Sequence, residues 1–356
     1  MALRTNTAEE PRINKRIVTQ VVGLIIGISA LAAFIAYVGI DELESVILQV
    51  DPAIIVFMTG IQLLGFVFYA SAWFMLIRAT GHKLPFLTCQ GISFASIFAA
   101  YTMPSGIFLE AMRIVLGSKE SGMKLGVSTA TVILHRILYI IGFLVSTAVA
   151  MLALLLSAGI SSSTMVELSI LPALAIVGLV VLLYLSLRPR VVRPILDYLL
   201  KLVQPIVKLV RRESSTDGRA DEFANDYHSG FRRMISSRTH IALSFVASLG
   251  DWGCSVVILW VVLVSLGTNV SLWAVIISMA IGKMIQMTPI AVPGMLGVYE
   301  AALTTSLSLF AVPVAVAASA ALLMRIITFW LDLPVTGLAA YHYGFKLLSG
   351  RVPSLQ

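Results

Sequence analysis

Charge is scarce in this sequence of 356 residues, since only 12% are Asp, Glu, Lys or Arg, whereas soluble domains carry about 25%. Hydrophobic residues make up 58% of the chain, so there are too few polar side chains to cover a water-soluble globule of this size. Apolar runs of about 18 residues or more recur, and each can cross a bilayer as a helix. These features exclude a secreted or cytosolic enzyme, a disordered chain and a β-barrel of short alternating strands. They predict an all-α polytopic membrane protein.

Cysteine is nearly absent as well. Cys89 and Cys254 are the only two, and both lie in apolar stretches, which predicts small buried side chains and excludes a disulfide scaffold or a cysteine metal site. The five histidines form no ligand-spaced cluster. Nothing resembles a phosphate-binding P-loop, a DxD sugar-nucleotide site, a Ser/His/Asp set or an HExxH motif. We therefore expect no metal, no cofactor and no enzymatic activity.

Uninterrupted apolar segments predict six full transmembrane helices, at 17–38, 53–77, 126–156, 169–187, 241–266 and 314–344. Two further apolar segments, 86–116 and 272–312, are interrupted near their middles. The interruptions are Pro104-Ser105-Gly106 in the first and Pro293-Gly294, with Gly297, in the second. Broken hydrophobic segments of this kind predict re-entrant helical hairpins, which enter and leave the membrane on one side.

The distribution of Lys and Arg supports this count of spans. Outside the apolar segments, all basic residues fall in the tails 1–16 and 345–356 or in connections that the count places in the cytoplasm, and the loops 39–52 and 157–168 contain none. The positive-inside rule then predicts a multi-pass protein of the cytoplasmic (plasma) membrane with both termini cytoplasmic. The net charge of +7 therefore faces anionic headgroups rather than nucleic acid.

The only sizeable polar stretch, 189–240, is predicted to be cytoplasmic. Apolar residues at helical spacing between 192 and 210 predict an amphipathic helix in the membrane interface. A second stripe follows at i, i+4 spacing, formed by Phe223, Tyr227, Phe231 and Ile235. We expect a docked surface hairpin, with regulation by lipid as the alternative.

The two membrane units, 17–156 and 169–344, carry the same landmarks in the same order. Each has a proline break, a glutamate and a membrane-embedded arginine: Pro104, Glu110 and Arg136, then Pro293, Glu300 and Arg325. The glutamate and arginine are 26 residues apart in the first unit and 25 in the second. The first unit begins inside and the second outside, which predicts an inverted-topology repeat, a transporter architecture.

Every ionisable group in the bilayer is costly and needs a partner or water. We expect Glu110, Glu300, Arg136 and Arg325 to surround one polar cavity, with Arg325 binding an anionic headgroup and Glu300 neutralising it in the empty site. Arginine suits phosphate, and a helix that begins after Pro293-Gly294 presents free N–H groups. The predicted substrate-binding residues are Glu110, Arg113, Arg136, Pro293, Gly294, Gly297, Glu300 and Arg325. The alternative is a set of ion pairs that only joins helices.

Weaker expectations concern other polar residues of the apolar segments. Asp251 and Lys283 are expected to pair across spans, His135 to be a hydrogen-bonded packing residue, and Trp330 and Tyr343 to be anchors at the membrane interface.

The run from Pro289 to Glu300, followed by Arg325-Ile-Ile-Thr-Phe-Trp330 and Gly337, resembles the lysylphosphatidylglycerol synthase transmembrane family, whose members are also described as flippase-like. The stretch from Tyr101 through Glu110 to Arg113 is similar to that family's first motif. The resemblance covers nearly the whole chain. It implies hairpin helices around a lipid-accessible cavity and movement of an aminoacylated phospholipid or another polar lipid, including a polyprenyl-linked one. The soluble synthase domain of the bifunctional members is absent, so we expect no synthesis of lysylphosphatidylglycerol.

Three functions follow from these patterns. The first is flippase-like translocation of a polar or anionic lipid, with membrane lipids as the partners. The second is an intramembrane transferase that acts on a polyprenyl phosphate with Glu110 or Glu300 as its base, although no donor-binding motif accompanies it. The third is a non-transporting scaffold for a lipid or glycan synthase, bound through the basic segment 189–240.

Overall fold

The protein is described from a computed structural model, which covers residues 40–48, 50–102, 107–157, 162–187, 219–288 and 292–348, together with four separate positions between 29 and 36. All regular secondary structure in these ranges is helical, with no strand among them. This confirms the all-α prediction. Most of the predicted first span, the predicted helix at 192–210, the tail 1–16 and residues 349–356 lie outside the described residues, whereas 345–348 belong to the last helix.

Twelve α-helices are present in the described ranges. In chain order they are α1 (Ile40–Ile47), α2 (Pro52–Ala79), α3 (Phe86–Thr102), α4 (Ile107–Ser121), α5 (Leu125–Leu156), α6 (Ser162–Leu187), α7 (Arg219–Ser236), α8 (Arg238–Ser265), α9 (Leu272–Met287), α10 (Val298–Ser308), α11 (Val314–Arg325) and α12 (Asp332–Leu348). A π-helical turn, Ile326–Trp330, joins α11 to α12. The helix α1 lies within the loop predicted at 39–52.

Four helical segments of the described residues are long and apolar enough to cross a membrane. They are α2, α5, α8 and the continuous run Val314–Tyr343, which contains α11, the π-helical turn and most of α12. The helices α3 and α9 are apolar but shorter. These segments correspond to four of the six predicted spans.

Both predicted interruptions are breaks in the helices. The first separates α3 from α4 at residues 103–106, which lie outside the description, and the second separates α9 from α10. The second break contains a 3-10 turn, Pro293–Met295, and Gly294 and Gly297 there have φ values of 60° and 78°. Such left-handed conformations favour glycine because it has no Cβ. The two helices on either side of each break pack against each other.

The amphipathic helix α7 docks against the N-terminal part of α5. Tyr227, Phe231 and Met234 are buried, whereas Ile235 is 46% exposed. The predicted stripe was therefore wrong at its last member. In a helix of 3.6 residues per turn each i, i+4 step moves a little further around the axis, so by Ile235 the stripe has left the buried face, where Met234 lies instead. Gly126 allows this close packing because it has no Cβ, and a Cβ at that position would collide with the Phe223 carbonyl oxygen of α7.

The largest hydrophobic cluster of the described residues joins α5 and α8 to α9, α10 and α11, and a second cluster joins α2, α3, α4 and α5 to α12. Tyr343 belongs to the second cluster and is buried, with its hydroxyl donating to the Thr88 carbonyl at 3.3 Å. The prediction that Tyr343 anchors the protein at the membrane interface was wrong, while Trp330 is half exposed. Cys89 and Cys254 are both buried, as expected, and the Cys89 thiol donates to the Ala70 carbonyl at 3.6 Å.

Candidate functional site

A cavity of about 210 Å³ lies among the membrane helices, several times the roughly 30 Å³ that one water occupies in the liquid. Its walls come from α2, α3, α4, α5, α8, α9, α10, α11 and the π-helical turn, so both halves of the chain contribute. Polar side chains line it at Gln62, Tyr69, Tyr101, His135, Arg136, Tyr139, Asp251, Ser255, Lys283, Gln286, Thr288, Tyr299, Arg325 and Thr328. Tyr101 and Leu109 flank the first helix break, and Gly294 and Met295 belong to the second. Described residues on both sides of the first interruption and residues of the second therefore line one cavity.

In the second half, Arg325 is held from three directions. Its Nε donates to Glu300 Oε1 at 2.6 Å, and its Nη2 donates to the Met295 carbonyl at 3.2 Å. The guanidinium also lies against the rings of Tyr299 and Phe329, at 4.8 and 5.1 Å from their centroids. Glu300 is 0% exposed, and its Oε2 has no hydrogen-bond partner among the described residues. Arg325 lines the cavity, and Glu300 neutralises it from behind.

In the first half, Arg136 pairs with Glu110 at 2.7 Å, and both side chains are partly exposed, to 32% and 21%. Glu110 also accepts from Arg113 at 3.3 Å. Arg113 is itself buried and donates to the Tyr69 hydroxyl at 3.0 Å and to His135 Nδ1 at 2.9 Å. Since arginine has no acceptor, His135 Nδ1 must be unprotonated, and His135 is neutral in this contact. His135 is thus the hydrogen-bonded packing residue that the sequence predicts.

A second polar link connects the first helix break to α12. Asp332 accepts from Gln62 Nε2 at 2.9 Å and from the Tyr101 hydroxyl at 3.3 Å. Tyr101 lies just before the break, and its hydroxyl also donates to the carbonyl of Thr328 at 2.8 Å. Thr328 belongs to the π-helical turn that follows Arg325. π-helical turns are frequent at functional sites because they displace side chains from regular helical register.

Among the described residues, Lys283 is the cavity-lining cation that forms no ion pair within 4.0 Å. It lies on α9 and interacts electrostatically with Asp251 and Asp332 and with the two cavity arginines, Arg136 and Arg325. Within the described part of the chain, its ammonium forms no ion pair within 4.0 Å, and the Asp251 carboxylate forms none either. Both groups line the same cavity and interact electrostatically, so they pair across spans as predicted, without a direct ion pair.

The predicted site residues divide into those that line the cavity and those that support it. Arg136, Gly294 and Arg325 line the cavity, whereas Glu110 and Glu300 bind the arginines, and Arg113 supports Glu110. Gly297 precedes the first residue of α10, whose first turn contributes Tyr299 to the cavity. Pro293 begins the 3-10 turn beside Gly294.

Several lining residues were missed by the sequence reasoning. The tyrosines Tyr69, Tyr101, Tyr139 and Tyr299 carry no special spacing, since aromatic residues are common in membrane helices. Lys283 and Asp251 did give a signal, because each is an ionisable residue inside an apolar segment. That rule identifies the residues but does not tell which of them have partners.

The chain also resembles known proteins. The lysylphosphatidylglycerol synthase TM region family matches residues 20–335. A UPF0104 membrane protein of Methanothermobacter thermautotrophicus is 22% identical over 326 residues, which cover 90% of this chain and 94% of the relative. A UPF0104 membrane protein of Archaeoglobus fulgidus is 26% identical over 316 residues, which cover 86% of this chain and 92% of the relative. These matches and the apolar helices make this chain an integral membrane protein.

Proposed function

The chain belongs to the lysylphosphatidylglycerol synthase TM region family, and we propose that it translocates a polar or anionic lipid, aminoacylated or polyprenyl-linked, between the leaflets of its membrane. The headgroup occupies the cavity while the acyl chains stay in the bilayer. One observation carries this proposal: a cavity lined by three cations, Arg136, Lys283 and Arg325, lies among membrane-length apolar helices, and residues beside the first interruption and within the second also line it. Ionisable groups are rare at such positions and mark substrate pathways.

The chemistry of the cavity suits a phosphate-bearing headgroup. Arg136 and Arg325 offer planar donors. Lys283 offers a compact ammonium that, among the described residues, has no ion-pair partner that a phosphate would have to displace. The glutamates behind the arginines keep the empty cavity from carrying an excess of positive charge. Tyrosine hydroxyls and amides around the cations can bind the remaining polar atoms of a headgroup.

Alternating access follows if the protein has six spans and two re-entrant hairpins in an inverted repeat. The hairpins are then α3–α4 and α9–α10, and they act as gates on opposite faces. The packing of the two helices within each pair, and the presence of both breaks at one cavity, support this arrangement. The charge distribution of the sequence supports cytoplasmic termini.

The test is reconstitution of the purified chain in vesicles that contain phosphatidylglycerol labelled on one acyl chain with a nitrobenzoxadiazole fluorophore. Dithionite quenches only the label of the outer leaflet, so protein-dependent movement appears as additional loss of fluorescence compared with protein-free vesicles. Lys283→Met should slow this movement, and Lys83→Met, which removes an exposed cation from the α2–α3 connection, should not. Equal loss of fluorescence with and without protein, for this lipid and for its aminoacylated and polyprenyl phosphate counterparts, would contradict the proposal.

A further inference from the structure

The charges around the cavity balance one another. Among the described residues, four cations and four carboxylates line the cavity or form a hydrogen bond with a residue that lines it. They are Arg113, Arg136, Lys283 and Arg325, and Glu110, Asp251, Glu300 and Asp332. A headgroup with a net negative charge would therefore leave one charge uncompensated among apolar helices. Groups in such an environment neutralise by taking up or losing a proton rather than remain charged and unpaired.

The four carboxylates differ in how well their charge is stabilised. Glu110 accepts from two arginines, Glu300 accepts from Arg325 at 2.6 Å, and Asp332 accepts from Gln62 and Tyr101. In the described ranges no donor is bonded to the Asp251 carboxylate, and its Oδ1 packs on α2, 3.3 Å from where a Cβ on Gly65 would lie. Donated hydrogen bonds favour the ionised form, and Asp251 is the one of these four carboxylates that receives none from the described residues.

The groups that face Asp251 explain why it is charged in the empty cavity. Titratable groups within electrostatic reach come from α2, α3, α5, α8 and α9; they are Tyr69, Tyr101, Tyr139, Cys254 and Lys283. Arg136 and Arg325 also line the cavity, but each is already paired with a glutamate. Lys283 is therefore the cation that compensates Asp251 across the cavity.

We propose that an anionic headgroup binds Lys283 and that Asp251 takes up one proton as it does so, so that the lipid and the proton move together. This inference rests on the proposed function. A phosphate oxygen accepts a hydrogen bond from the Lys283 ammonium, which then no longer compensates Asp251. One proton from water adds to an Asp251 carboxylate oxygen and forms an O–H bond, and the total charge of the occupied cavity stays at zero. When the headgroup leaves, the proton returns to water.

Binding of the labelled phosphatidylglycerol to the detergent-solubilised full chain, followed by fluorescence anisotropy between about pH 5 and pH 9, tests this coupling. Because binding takes up one proton, each rise of one pH unit should weaken binding by about tenfold wherever Asp251 is ionised in the empty cavity. Phosphatidylcholine with the same label carries no net charge, and its binding should show no such dependence. Asp251→Asn cannot take up the proton, so it should bind phosphatidylglycerol at every pH as tightly as the wild type does at low pH. The matched variant Asp41→Asn, which removes an exposed carboxylate of α1 away from the cavity, should keep the wild-type dependence.

The outcomes separate this inference from the proposed function. If the wild type binds phosphatidylglycerol with an affinity independent of pH, or if Asp251→Asn keeps the wild-type dependence, the coupling is refuted while translocation stands. If neither labelled lipid binds at any pH, both proposals are refuted. The wild-type measurement alone is decisive should Asp251→Asn fail to fold.

Discussion

Removal of Arg325 should destabilise the protein through the charge that it leaves behind. Arg325→Met would leave Glu300, which is 0% exposed and has an unpartnered Oε2 among the described residues, with no compensating cation. Breaking a buried pair in this way costs about 3–5 kcal/mol. Domains of 150–250 residues lose roughly 2–4 °C of melting temperature per kcal/mol, and the loss becomes smaller as chains become longer. We therefore use the lower limit of about 2 °C per kcal/mol for this longer chain and expect a drop of about 6–10 °C.

A second variant separates the uncompensated charge from the lost packing. The double variant Glu300→Gln with Arg325→Met removes both charges, so only hydrogen bonds and ring contacts are lost, and about 1–2 kcal/mol of destabilisation should remain. Arg136→Met should cost at most about 1 kcal/mol, because Glu110 is partly exposed and keeps Arg113 as a partner. Tryptophan fluorescence during thermal unfolding in detergent micelles measures all three. A double variant as unstable as Arg325→Met would refute the reasoning.

Three further predictions concern the second helix break, the connection between α2 and α3, and the topology. Gly294→Ala should lower the melting temperature, since its φ is 60° and its Cβ would lie 2.5 Å from a phenyl ring, whereas Gly178→Ala, with open space around it, should not. Partial burial and a nearby arginine lower the pKa of His82, so the folded state disfavours the charged ring; stability should fall as the pH drops below about 6.5, and His82→Gln should weaken that pH dependence in the same melting assay. A cysteine at Ser45 should react with an impermeant thiol reagent added outside intact cells, and one at Ser215 should not; labelling of Ser215→Cys from outside would refute the topology.

The helix breaks and the ion pairs could be predicted from the sequence because both depend on local rules. Proline and glycine interrupt a helix wherever they fall in an apolar run, and a buried arginine needs a carboxylate nearby. The recurring order of glutamate and arginine therefore predicted the pairs Glu110–Arg136 and Glu300–Arg325, which the structure contains. Their grouping at one cavity also agrees with the prediction, although the glutamates lie behind the arginines and not in the cavity wall.

The remaining features depend on tertiary packing and leave little trace in the sequence. Gln62 and Tyr101 bind Asp332 across separations of 270 and 231 residues, and no spacing rule reaches that far. Tyr343 has the composition of an interface anchor, but a glycine at position 91 opens the space that its ring fills. Asp251 and Lys283 interact, as predicted, but the sequence could not show that they do so without a direct ion pair, because tertiary packing sets the distance between their helices.

The central claim is that the cavity between the two helix breaks holds the headgroup of a lipid. The most direct measurement is an experimental structure of the protein in a lipid nanodisc that contains phosphatidylglycerol. We expect phosphate density within hydrogen-bonding distance of the Lys283 ammonium and of at least one of Arg136 and Arg325. Density for the acyl chains should leave the cavity between helices. A cavity that holds only water, with ordered lipids confined to the outer surface of the protein, would contradict it.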